Sequence, residues 1–140
     1  MPTILLVEDD EPTRVLIAAL CRRIGVDIDL AGDGAHALEL IRRRPYSALL
    51  LDLMLPKMNG FELLREIRSC RPALLCRTII LTAVSDATLR DFDGGGTLAL
   101  LRKPFDIADL IDALIACCGD APVQGRVSAN KGLARGIVTG

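Results

Sequence analysis

The sequence predicts an α/β fold in which a parallel, five-stranded sheet is covered by helices on both faces. Three observations carry this. Short apolar runs alternate with helix-period patterns five times along the chain. One run, Ala48 to Leu53, is almost continuously aliphatic, the pattern of a strand buried on both faces. And 51% of the residues are apolar, mostly Leu, Ala, Ile and Val with no Trp, a composition that suits a sheet between helix layers. At 140 residues the chain can build one hydrophobic core and is too short for two ordinary domains.

The elements follow in order. Thr3 to Val7 is the first strand, and Glu8, Asp9 and Asp10 come directly after it. Pro12 fits the first turn of a helix with Val15, Leu16, Ala19 and Leu20 at apolar positions, and Gly25 ends it. Asp27 to Ala31 alternates polar and apolar residues as an edge strand does. Asp33 is placed to cap a helix carrying Ala37, Leu38 and Ile41, which stops near Pro45. The third strand, Ala48 to Leu53, holds Asp52 near its C-terminal end. After Pro56 and Gly60, the recurrence of Phe61, Leu64 and Ile67 marks a third helix. Arg77 to Leu81 is the fourth strand and ends in Thr82-Ala83. Asp86 to Phe92 reads as a short helix cut off by Gly94, Gly95 and Gly96. Leu98 to Leu101 is the fifth strand, Lys103-Pro104-Phe105 follows, and Asp106 caps a last helix through Leu110, Leu114 and Ile115.

Residues 1–118 therefore read as one domain. From 119 to 140 the character changes to glycine-rich sequence with no aromatic residue and little periodicity, which reads as a flexible tail. Apolar runs fall far below the ~20 residues of a membrane span. The opening Met-Pro-Thr lacks the charged start and cleavage site of a signal peptide, so the expected location is the cytoplasm. A net charge of −1 gives no electrostatic case for nucleic-acid binding across the whole surface. Five cysteines without C-x-x-C spacing argue against zinc or a disulfide framework, and His36 reads as a solvated surface residue.

In open parallel sheets functional groups gather beyond the carboxyl ends of the strands, and a doubly wound sheet of strand order 2-1-3-4-5 (the flavodoxin-like arrangement) makes the relevant ends neighbours. Those ends deliver Glu8, Asp9 and Asp10, then Asp52, Thr82 and Lys103. Clustered carboxylates repel, so one takes a proton unless a cation is present, and Mg²⁺ suits carboxylates plus a phosphate oxygen. Lys103 supplies a compact positive charge and Thr82 a hydroxyl donor. A nucleophilic carboxylate, a divalent ion, an ammonium and a hydroxyl suit phosphoryl transfer. Singly each has a plainer reading: an acidic helix cap, a turn aspartate, a Lys-Pro turn. The combination, each at the end of its own strand, is specific.

These segments resemble the receiver domain of bacterial response regulators. Ile4-Leu5-Leu6-Val7-Glu8-Asp9-Asp10-Glu11 is similar to its opening, Leu50-Leu51-Asp52-Leu53-Met54-Leu55-Pro56-Lys57-Met58-Asn59-Gly60 to its phosphoacceptor segment, and Leu81-Thr82-Ala83 and Lys103-Pro104-Phe105 to its switch Thr and Lys-Pro. The resemblance runs from about Thr3 to Cys118. It implies that Asp52 accepts phosphate from a histidine kinase or a histidine phosphotransfer protein. It further implies that Glu8, Asp9, Asp52 and the backbone carbonyl of Met54 hold Mg²⁺, that Thr82 turns onto the phosphoryl group, and that Lys103 clamps it. Asp10 falls outside that acidic pair. Output is expected through a protein partner at the face of the fourth predicted helix, fifth strand and last helix, with no direct nucleic-acid contact and no membrane insertion.

Two departures stand out. The family's Tyr or Phe three residues before the Lys is Leu100 here, which either fills the gap or weakens the coupling of the pocket to the output face. Met54 and Val84, flanking the pocket, have side chains that cannot orient an attacking water by hydrogen bonding, so slow self-dephosphorylation is expected. The expected molecule is a stand-alone receiver, not an enzyme. The rivals are a phosphorelay intermediate and an aspartyl-phosphate phosphohydrolase, although the latter wants an Asp where Met54 stands.

Overall fold

The computed structural model describes residues 2–83 and 96–118. The predicted helix Asp86 to Phe92, Val84, Gly94 and Gly95 of the triple glycine, and the 119–140 stretch lie outside the described residues. The elements are β1 (Thr3–Val7), α1 (Glu11–Arg23), β2 (Asp27–Ala31), α2 (Gly34–Arg43), β3 (Ala48–Asp52), α3 (Gly60–Cys70), α4 (Pro72–Leu75), β4 (Thr78–Thr82), β5 (Ala99–Arg102) and α5 (Ile107–Cys118). The five strands form one sheet in the order β2-β1-β3-β4-β5, every pair parallel. This is the doubly wound α/β arrangement expected from the alternation of runs.

Strand periodicity divides the core in two. Leu5, Val7, Leu49, Leu51 and Ile80 pack on one face of the sheet with Ala37 and Ile41 of α2 and Leu63 and Ile67 of α3. The alternate residues Ile4, Leu6, Leu50, Ile79 and Leu81 pack on the other with Ile17 of α1 and Leu110 and Leu114 of α5. The central strands β3 and β4 are buried at all five positions, whereas the edge strand β2 is exposed at Asp27 and Leu30. That contrast is what the continuous and the alternating runs foretold.

The helix starts follow their caps. Asp10 accepts from the Thr13 N–H, Asp33 from the His36 N–H at 2.8 Å, and Asn59 forms a reciprocal capping box with Glu62. Gly25, at φ +79°, supplies the left-handed residue after α1. Three boundaries differ from the sequence reading: β3 stops at Asp52, β4 runs Thr78–Thr82, and β5 runs Ala99–Arg102. Ladder pairing, which hydropathy does not report, sets these limits. The one-turn α4, opening on Pro72, was not foreseen.

Candidate functional site

The parity that sorts the core also aims the polar groups at the C-terminal edge of the sheet. Glu8 continues the Ile4–Leu6 series, Asp52 the Ala48–Leu50 series and Lys103 the Ala99–Leu101 series, so all three follow the parity of the α1/α5 face. Glu8 remains tied to the sheet edge by its N–H, which donates to the Ala31 carbonyl at 3.1 Å. The Lys103 N–H donates to the Thr82 carbonyl at 2.9 Å. Lys103 precedes a cis Pro104.

Lys103 Nζ bridges two buried carboxylates. It donates to Glu8 Oε1 at 2.6 Å and to Asp52 Oδ2 at 3.1 Å. Glu8 is fully buried and Asp52 is 4% exposed. Asp9, on the surface, completes a group in which one carboxylate oxygen from each of Glu8, Asp9 and Asp52 lies within 4.8 Å of the others. The second oxygen of Asp52 accepts from the Met54 N–H at 3.0 Å, fixing the carboxylate between the loop and the lysine.

The electrostatics follow from burial and crowding. Burial raises the Glu8 carboxyl above its usual range, the hydrogen bond from Lys103 opposes this, and the neighbouring Asp52 charge adds to the rise. Burial works against the Lys103 ammonium, but the hydrogen bond to Glu8 and the charge of Asp52 outweigh it and hold that group above its ordinary value. Asp10, by contrast, turns away to cap α1. Its carboxyl is held low by the Thr13 side chain and backbone, and only its N–H reaches the site, donating to Glu8 Oε2 at 3.1 Å.

The sequence-predicted residues thus fall in three groups. Glu8, Asp9, Asp52 and Lys103 are brought together. Thr82 is fully buried at the end of β4, one residue beyond Leu81, the register partner of Asp52, and follows the opposite parity, that of Ile80. Met54 reaches Asp52 through its N–H, while its side chain is 61% exposed. Three carboxylates within 4.8 Å of one another, two of them bridged by an ammonium, suit a small, hard divalent cation with oxygen ligands. Leu100 is half-buried and packs against the α2/α3 face of the core. Sequence reasoning did not single out Lys57, whose backbone is left-handed at φ 61° and whose Nζ lies 3.6 Å from Asp33 Oδ2. It stands in the loop after Asp52, and its only signal was a position between Pro56 and Gly60.

A five-stranded doubly wound sheet with an acidic, lysine-bridged pocket at its C-terminal edge defines a class of α/β domains whose functional groups gather beyond the strand ends. The description of the response regulator receiver domain matches residues 4–115. CpdR of Brucella abortus (strain 2308), a response regulator receiver protein, is 31% identical over 115 residues, covering 81% of this chain and 94% of that protein. The autoinducer 2 sensor kinase/phosphatase LuxQ of Vibrio vulnificus (strain YJ016) is 32% identical over 115 residues, 80% of this chain but only 13% of that protein's length. Among solved structures, the receiver domain of sensor histidine kinase PA1611 from Pseudomonas aeruginosa PAO1, with a magnesium ion coordinated in its active-site cleft, superposes with a TM-score of 0.75 at 33% identity, over 85% of this chain and 98% of that one. The chain belongs to the response regulator receiver domain family of two-component systems. Phosphorylation by a kinase and Mg²⁺ at the acidic pocket are general to that family. Among the described residues, no helix is long and apolar enough to cross a membrane.

Proposed function

We propose that this chain is a stand-alone, cytoplasmic receiver, a phosphorylation-controlled binding module whose Asp52 takes a phosphoryl group from the phosphohistidine of a sensor kinase or a histidine phosphotransfer protein. The observation that carries this is the bridge from Lys103 Nζ to Glu8 and Asp52 with a third carboxylate, Asp9, alongside. Asp52 is the nucleophile in this reading. Glu8, Asp9, Asp52 and the Met54 carbonyl would hold Mg²⁺, which when bound neutralises charge on the phosphoryl oxygens. Lys103 moves its hydrogen bond from Asp52 to a phosphoryl oxygen, and the Thr82 hydroxyl donates to another. The match across 94% of CpdR supports the single-domain reading.

Output passes to a protein partner at the face that includes β5 and α5, with no nucleic acid or membrane involved. Leu100, in β5 with its side chain on the α2/α3 side of the core, has no ring to move with the pocket, which weakens coupling between pocket and face. The chain is not an enzyme acting on external substrates, because Met54 offers no acid or base where a phosphohydrolase needs one. The same exposed methionine cannot orient a water, so phospho-Asp52 hydrolyses slowly.

The test is incubation with acetyl phosphate and Mg²⁺, read by intact mass. The parent gains one phosphoryl group, and Asp52→Ala gains none. Labelling of Asp52→Ala at the parent's rate, or a parent that never acquires the label, overturns the reading. Turnover of small phosphomonoesters would favour the phosphohydrolase instead.

A further inference from the structure

The end of the sheet opposite the acidic pocket carries a feature that phosphoacceptance leaves unused. Helices α2 and α3 run back along the sheet and finish side by side, and arginines crowd that shared end: Arg42, Arg43 and Arg44 from α2 and its cap, Arg68 and Arg71 from α3 and its cap. Helix dipoles favour a cation or two in each last turn. Five guanidinium groups exceed that need, and like charges placed together repel.

Contacts with neighbouring groups tie four of them to the surface. Arg71 Nη2 donates to the carbonyl oxygen of Arg42 at 3.3 Å, which holds α3's terminal guanidinium against α2. Arg42 lies 3.6 Å from Glu66, Arg43 4.0 Å from Glu39, and Arg44 pairs with Asp29. The side chains of Arg42, Arg43 and Arg44 nevertheless stay 59%, 69% and 55% exposed, and Arg68 makes no ion pair among the described residues. In a chain of net charge −1, five arginines against three carboxylates make a locally positive surface.

We propose that this α2/α3 end docks an acidic polypeptide segment, at a site separate from the phosphoacceptor pocket. The charge pattern selects that occupant. Glu39, Glu66 and Asp29 are threaded among the arginines and would oppose a continuous row of phosphates, whereas carboxylates on a flexible or helical segment can meet separate guanidinium forks. The described patch also exposes no aromatic ring on which bases could stack, since Tyr46 beside it is buried. A segment bound here leaves Asp52, at the other end of the sheet, open to a phosphodonor.

A fluorescein-labelled, glutamate-rich peptide titrated with the full chain tests this, read by anisotropy at about 0.15 M salt. Saturable binding is expected, with affinity falling about tenfold in Arg71→Glu and again in Arg42→Glu. Arg43→Glu, at a side chain more exposed than Arg42 or Arg44, gives the same direction with little risk to the fold. Arg22→Glu at the end of α1, outside the patch, leaves binding unchanged. Two results overturn the proposal: peptide binding that survives the Arg42, Arg43 and Arg71 reversals, or tighter binding to duplex DNA or to phosphatidylglycerol vesicles at the same salt.

Discussion

Gly60→Ala is a sharp test of how β3 and its terminal Asp52 are held. Gly60 is the first residue of α3, and its N–H donates to the Leu53 carbonyl at 3.0 Å. A Cβ there would stand 2.5 Å from the Leu53 Cα and 2.9 Å from the carbonyl oxygen of Asp52, against the ~3.5–4.0 Å at which carbon atoms pack comfortably. Both neighbours are backbone, so no rotamer change relieves the contact; the start of α3 must move away from β3. Helix propensity alone favours alanine by up to ~1 kcal/mol. Overpacking of a tight contact costs about 1–3 kcal/mol and more when the partner is rigid. The clash wins, and the net loss is about 2 kcal/mol, or roughly 8 °C in Tm for a domain of this size. Gly32→Ala is the control, because its Cβ would meet only Arg14 Nη1 at 3.8 Å. That substitution stays within ~0.5 kcal/mol of the parent. Urea unfolding of the three proteins side by side decides the matter. Equal midpoints for Gly60→Ala and the parent, or equal losses at both glycines, would refute the packing argument.

Tyr46 is the only tyrosine, there is no Trp, and burial first, then the hydrogen bond to Asp29, pushes its phenol up to about 12. The neutral form is thus favoured by folding, and the stability it contributes is present below ~10, where the unfolded phenol ionises, and is lost as pH rises toward 12. Phenolate absorbance should stay at about a tenth of its full value or less through pH 11, and a midpoint near 10 in folded protein would sink the Tyr46–Asp29 contact. Asp33→Ala removes the α2 cap and should lower stability by about 1 kcal/mol at neutral pH. The His36 N–H holds the Asp33 carboxyl low, so the contribution is present above ~4 and fades as pH falls through the folded value. Parent and variant should converge in strong acid, and a gap independent of pH would contradict the cap. Cys70 and Cys76 are exposed, while burial raises Cys21 to about 11 and Cys117 to about 12. A thiol reagent at neutral pH should therefore show two fast equivalents, and five at one rate would be inconsistent with this packing.

What the sequence made legible was whatever depends on neighbours along the chain. The burial of β3, the edge character of β2 and the caps at Asp33 and Asp106 are local patterns, and each stands in the structure where the pattern put it. The convergence of Glu8, Asp9, Asp52 and Lys103 was legible because parallel strands bring all their C-terminal ends to one edge. What stayed hidden depends on distance in space. Residue type does not separate Asp10 from Asp9, which only the family resemblance set apart; one caps α1 and the other joins the acidic group. The α4 turn is too short to show a period. The clearance at Gly34, where a Cβ would lie 2.0 Å from the Met58 carbonyl oxygen, exists only once α2 meets the loop after β3.

Charge in the pocket bears on the proposed phosphoacceptor role, because such a convergence of carboxylates calls for a further cation. At an effective dielectric of about 20, two unit charges separated by 4.8 Å, the upper bound within the acidic group, repel by about 3.5 kcal/mol. One ammonium, at 2.6 and 3.1 Å from two of the three carboxylates, offsets part of that repulsion. Burial gives the largest part of the upward push on Glu8, and the neighbouring charge of Asp52 adds to it. A phosphoryl group on Asp52 would replace one negative charge by about two at neutral pH, deepening the deficit while taking Lys103 from its partner. Protonating Glu8 lowers that deficit but removes a ligand. A divalent ion lowers it and keeps the ligand, so phosphorylation of Asp52 should require one more strictly than folding does.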